Sequence, residues 1–286
     1  MKIGTDQYNT FDTMTMDCWN DRVYYEGKEF PAGQFAAEIL NFAGVIHDPL
    51  LERITVLTAL VDDLSTAEKS KRHDVAAQLK PLLHDTVSWL YTCPPFCYCE
   101  SQGAYEDLEH ALSEERLDRD YEEDEAHLPY LALSFCEPIL RILVAIYNLC
   151  LLIRAFEKKY LRRAKRRNAD AFAKAAHECF DEDDSFLILL EQMPFGGVEE
   201  FFSYPRVITG FKYFQDENDE EKWKTAQRVI CKRAIDFYVF DLMNGLHHGH
   251  APSQCQGCGR YYLTTNGHIP KYCGGIAPQD NRYTCR

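Results

Sequence analysis

The sequence predicts a mainly α-helical fold. A helical, bundle-like domain follows a small N-terminal β element and precedes a C-terminal zinc-stapled β-hairpin module. Three observations lead there. Apolar residues recur at helical spacing through most of 31–193, a short alternating segment with turn residues lies before them, and four cysteines fall within the last 32 residues. The expected organisation is a domain over 1–250 and a four-cysteine zinc module over 251–286. Within the first, 1–30 holds the β element, 31–193 the helices, 195–215 strand or irregular structure, and 220–246 a connecting helix.

Composition bounds the function. Of 286 residues, 46% are hydrophobic, with 17 Tyr and 17 Phe, enough for a sizeable core and unlike a disordered chain. The net charge of -14 repels phosphate backbones over most of the surface, so nucleic acid is not the default partner. The first thirty residues lack the basic and apolar regions of a secretory leader. The 12 cysteines are therefore expected to be reduced, in a cytoplasmic protein, and to serve as metal ligands or free thiols.

The β element centres on 21–30, DRVYYEGKEF, a hairpin with Gly27 at its turn. Phe35, Ile39, Phe42 and Ile46 mark a helix over 34–46, and Asp48-Pro49 starts the next, which continues over 50–64. A third covers 71–91, with a kink or break at Pro81. A loop at 93–103 leads to a helix over 105–117, and eight acids in 114–125 make a solvated run. One long helix, or two meeting at Pro138, spans 128–168. Its stretch 131–153 is long enough to cross a bilayer, but Glu137, Pro138, Arg141 and Asn148 favour a buried helix and no membrane span. A helix over 169–180 ends at the acids of 181–184, and 186–193 is a short apolar run. Trp223, Ile230, Ala234, Phe237 and Leu242 place one amphipathic helix over 220–246.

Chemistry concentrates in the tail. Cys255 and Cys258 form a C-x2-C pair in CQGCG, where Gly257 and Gly259 suit a tight knuckle that puts two sulfurs on one ion. Alternation over 259–264 predicts a strand, Asn266-Gly267 a hairpin turn, and 268–272 a return strand that delivers Cys273. Cys285 closes the set. Four thiolates and one Zn²⁺ carry a charge of -2, which Arg260, Lys271, Arg282 and Arg286 sit close enough in sequence to balance. So short a module buries too little surface to fold alone, and a structural zinc ion compensates. A disulfide arrangement, or a ligand role for His247, His248, His250 or His268 in place of one cysteine, is the alternative.

The run CQGCGRYYL, then KYC, then TCR, resembles the C-terminal module of uncharacterised bacterial proteins grouped as a domain of unknown function. The resemblance covers roughly 198–286. It implies zinc on Cys255, Cys258, Cys273 and Cys285, and it implies no activity.

Other features are weaker. Seven bases fall within 158–167: Lys158, Lys159, Arg162, Arg163, Lys165, Arg166 and Arg167. They would track phosphates on a nucleic acid, or form a solvated helix end that pairs with the acidic runs. Cys93, Cys97 and Cys99 suggest a second metal site if His84 or His110 completes it, or otherwise free thiols. His177, Glu178 and Cys179 have no companion motif, and the acids at 181–184 and 216–221 lack calcium-loop spacing. The expected function is a non-enzymatic adaptor or regulator that meets a protein partner or a second copy of itself. A nucleic-acid-associated protein is the alternative, and an enzyme with scattered residues a third reading.

Overall fold

The structure is a computed structural model that describes residues 13–42, 49–117, 130–164, 168–180, 182–183, 207–216, 219–265, 271–277 and 280–285. It divides into two compact units, one of residues 1–13 and 44–145, the other of 14–43 and 146–286.

The first unit is helical. Helix α2 (Pro49–Thr66) buries Leu50, Ile54, Leu57, Val61 and Leu64, the stripe its spacing predicts. Helix α3 (Lys69–Leu90) answers with Ala76, Leu79, Leu83, Val87 and Leu90, and Arg53 Nη1 donates to Thr86 Oγ1 at 3.0 Å across the pair. The helix runs through Pro81 rather than ending there. A 3-10 turn at Phe96–Tyr98, α4 (Gln102–Ala111) and α5 (Glu114–Leu117) follow. The rest of the acidic run, 118–125, lies outside the described residues.

Helix α6 (Tyr130–Lys159) continues through Pro138 as one element and supplies residues to both units. Its apolar stretch is long and apolar enough to cross a membrane, and 61% of that window is buried in the protein.

The second unit is built on a sheet larger than the sequence predicts. Strands β1 (Met14–Trp19), β2 (Arg22–Tyr25) and β3 (Lys28–Pro31) form the expected element, with Glu26 at φ 45 and Gly27 at φ 71 turning the hairpin. Two long strands join them: β4 (Val207–Asp216) and β5 (Asp219–Cys231), giving an antiparallel order β3-β2-β1-β5-β4.

This overturns the connecting helix expected over 220–246. Its first half is strand β5, and helix α8 occupies Ala234–His247 alone. Trp223, Ile230 and Phe237 imitate a helical stripe, but pairing β5 on both sides satisfies its backbone in the sheet, and Ala226, Val229 and Cys231 take the buried positions. Asp216 and Asp219, among the acids that lack calcium-loop spacing, end β4 and open β5. The predictions for 186–193 and for 195–206 fall outside the described residues.

Helix α1 (Gln34–Glu38) and α8 cover one sheet face. Tyr25, Phe35 and Phe237 meet with centroids 5.3 to 5.6 Å apart, each burial worth about 2 kcal/mol. The helix expected over 34–46 is shorter: α1 tightens into a 3-10 turn at Ile39–Asn41. Asp241 of α8 reaches the start of α1, accepting from Gly33 N at 2.9 Å and Ala36 N at 3.0 Å. Burial pushes its carboxyl up to about 7, against the pull of those N–H groups. Beyond α6, a 3-10 turn at Leu161–Arg163 and α7 (Ala169–Phe180) complete the helices.

Candidate metal centre

After α8 the chain forms β6 (Ala251–Gln254) and β7 (Tyr261–Thr264), paired antiparallel from Ala251↔Thr264 to Gln254↔Tyr261. The Cys255–Cys258 knuckle is therefore the turn of this hairpin. The sequence predicts β7 to pair with a return strand at 268–272. Its partner among the described residues is instead the strand upstream of the knuckle, while Lys271 and Tyr272 are bends and 266–270 lies outside the described residues. A second hairpin, β8 (Ile276–Ala277) with β9 (Asp280–Thr284), carries the chain to Cys285.

The knuckle closes as its glycines allow. Cys255 N donates to Arg260 O at 2.8 Å and Gly259 N to Cys255 O at 2.9 Å, with Gly259 at φ 74. A Cβ on Gly257 would meet the Tyr272 ring at 3.4 Å and Cys285 Cβ at 3.7 Å, so the knuckle lies close beneath the returning chain. Two backbone bonds lock that return: Gln256 N to Lys271 O at 2.9 Å and Cys285 N to Gly275 O at 2.7 Å.

These contacts bring together Cys255, Cys258, Cys273 and Cys285, whose sulfurs all lie within 4.8 Å of one another. The Cys258 and Cys273 sulfurs are 3.7 Å apart. A disulfide would need about 2.05 Å, whereas a tetrahedron with metal–sulfur bonds of about 2.3 Å has edges of about 3.8 Å. Cys273 N points at Cys255 Sγ from 3.3 Å, and Gly275 N at Cys273 Sγ from 3.4 Å. Such N–H groups stabilise thiolates. Burial pushes the Cys255 thiol up, but N–H groups of Cys258, Cys273 and Gly257 bring it down to about 6. Cys285 is raised to about 12, chiefly by burial, with the neighbouring Cys258, Cys273 and Cys255 thiols adding to the rise.

The remaining candidates are not gathered here. His250 is buried with Nδ1 2.9 Å from Ala32 O, and His268 lies outside the described residues. Cys93, Cys97 and Cys99 do not join His84 or His110 in a ligand cluster among the described residues. Of the basic run, Lys158 and Lys159 end α6, and Arg162 and Arg163 lie in the 3-10 turn. Lys165, Arg166 and Arg167 lie outside the described residues. Lys159 and Tyr160 bond Asp183, and Arg162 pairs with buried Glu157 at 2.9 Å and with Gln254 at 3.0 Å.

Sequence reasoning missed Asn41. Its side-chain amide pairs with Tyr261 like a short strand, Nδ2 to Tyr261 O at 3.0 Å and Tyr261 N to Oδ1 at 2.7 Å. They are 220 positions apart, so no local pattern connects the two.

A model of a family of unknown function (DUF6076) matches residues 203–286, the stretch that carries β4 to β9 and all four cysteines. No curated protein and no solved structure matches the chain. The resemblance expected over roughly 198–286 is thus met as an uncharacterised domain.

Proposed function

We propose that Cys255, Cys258, Cys273 and Cys285 hold one Zn²⁺ as thiolates, and that this ion staples the tail of a non-enzymatic cytoplasmic protein that acts by binding another protein. The observation that carries the metal reading is the set of four sulfurs within 4.8 Å of one another, one pair at the edge length of a zinc–thiolate tetrahedron. Four sulfur donors fill the coordination sphere, so the ion has no open position for a substrate or a water and serves folding. The adaptor reading is supported by Phe211, Tyr213 and Trp223 on β4 and β5, which share the face of Val229 yet are 73%, 67% and 65% exposed.

Elemental analysis of the purified protein is expected to give one zinc per chain, and none after all four cysteines become Ser. Metal-free protein with an ordered tail overturns the metal reading. Cross-linking from Lys212 or Lys222 to a second polypeptide, lost in a Phe211→Ser, Trp223→Ser double variant, tests the adaptor reading. A chain that stays monomeric and uncross-linked overturns it. The basic run fits an internal role better than a phosphate-tracking one, since Lys159 and Arg162 meet Asp183 and Glu157. Heparin retention lost when Arg162, Arg163, Arg166 and Arg167 become Ala would reverse that preference.

A further inference from the structure

The sheet face turned away from α1 and α8 carries a groove of about 720 Å³. Strand register explains its lining. Asp17 pairs with both Tyr24 and Arg228, Phe214 pairs with Lys224, and Trp19 pairs with Arg22, so these side chains share one face with Lys212. The positions between them, Met16, Cys18, Val23 and Val229, fill the core beneath.

Charge is divided across the groove. On the β4–β5 side, Lys212, Lys224 and Arg228 outnumber one carboxylate: Arg228 grips Asp17 at 2.8 and 3.0 Å, and Lys212 reaches it at 2.9 Å. On the β2–β3 side, Asp21, Glu26 and Glu29 outnumber Arg22, which lies 3.5 Å from Glu29. Aromatic rings bridge the two. Phe214 meets Trp19 edge-on at 6.4 Å and Tyr24 at 5.9 Å, and the Lys224 ammonium stands 4.2 Å from the centre of the Trp19 ring.

We infer that this groove binds a nucleoside phosphate, its phosphate on the Lys212, Lys224 and Arg228 side and its base against Trp19, Tyr24 and Phe214. Each part of the ligand answers one part of the lining. The cations complement a doubly charged phosphate, the rings present stacking surface to a base, and the acids accept from amino groups or sugar hydroxyls. The volume suits one such molecule. A wholly apolar ligand would desolvate eight charged side chains without pairing them. The chain's overall charge of -14 favours a small ligand held locally over a long polyanion.

Calorimetric titration of the full chain with AMP, CMP, GMP and UMP tests this, with adenosine, inorganic phosphate and a tetranucleotide as further arms. At least one mononucleotide is expected to bind with a Kd below about 1 mM. Lys224→Gln should weaken that nucleotide about tenfold while leaving adenosine unchanged. Trp19→Leu should abolish nucleotide and nucleoside binding alike. Phe214→Leu replaces it if circular dichroism shows that Trp19→Leu unfolds the sheet. Equal affinity for mononucleotide and tetranucleotide identifies a free nucleotide as the source, and tighter binding of the tetranucleotide identifies a single strand. Absence of binding in the mononucleotide and tetranucleotide arms, phosphate binding as tightly as the nucleotides, or indifference to Lys224→Gln and the ring variants overturns the assignment.

Discussion

The two halves of the cysteine site are held by different means. The first half, β6 and β7 with Cys255 and Cys258, leans on the folded unit through bonds that involve no sulfur. Asn41 pairs with Tyr261, Arg162 holds Gln254, and the guanidinium of Arg154 lies 5.9 Å from the Tyr261 ring centre. The second half, 271–285 with Cys273 and Cys285, meets the first through the backbone bond from Gln256 N to Lys271 O, the N–H of Cys273 on Cys255 Sγ, and the sulfur cluster itself. The first pair of thiols is thus presented by a preformed hairpin. On the proposed zinc reading the second pair is gathered by the ion, and metal-binding free energy goes mainly into ordering 271–285.

The largest test of that asymmetry is metal removal. Zinc binding in small modules is worth on the order of 10 kcal/mol. A chelator should expose the amides of 271–285 to rapid hydrogen exchange while those of 251–264 keep much of their protection. Equal loss in both halves breaks the comparison. Next comes the ground under the first half. A Cβ on Gly245 would stand 2.8 Å from Gly33 Cα, and Gly33 in turn faces Leu263 of β7. Gly245→Ala should cost about 1–3 kcal/mol, read as a lower Tm with zinc still bound. Asn41→Ala should cost about 1 kcal/mol, seen as faster exchange at Tyr261 and little change beyond 271.

The smallest effect is a pH control on the sheet. Asp17 is desolvated, which raises its pKa, but its bonds to Arg228 and Lys212 prevail and hold it below the usual carboxylate value. A lowered folded pKa means the group stabilises the fold above its unfolded value of about 3.9. That contribution fades as pH falls through the folded pKa. Asp17→Asn should flatten the acid limb of the stability curve, and an unchanged limb refutes the assignment.

Much of this was legible in order of locality. The C-x2-C knuckle, with glycines at 257 and 259, and the Glu26-Gly27 hairpin are written in consecutive residues, and both form where expected. The helices α2, α3 and α6 follow from spacing, since each is long enough for its stripe to repeat. The failures are pairings. Strand β5 reads as a helix because Trp223, Ile230 and Phe237 fall near multiples of 3.6, and although β4 precedes it directly, its other partner, β1, sits more than two hundred residues away. The alternation of Thr15, Asp17 and Trp19 was the available hint to the groove face, and the strand partners that give it meaning could not be read from it. The Asn266-Gly267 turn lies outside the described residues, and the partner of β7 within them is β6, upstream of the knuckle.

The Asn41–Tyr261 bridge has a practical consequence for anyone who would excise the tail and graft it onto another scaffold. Cutting at 251 would leave the segment without Asn41, Gly33, Arg154 and Arg162, all of which touch or face the first hairpin. A transplant that keeps its shape before any ion arrives must carry 32–41, the end of α6 with the turn after it, and the whole of α8. The portable unit is larger than the run of cysteines suggests, and it is stitched from separate stretches of the gene.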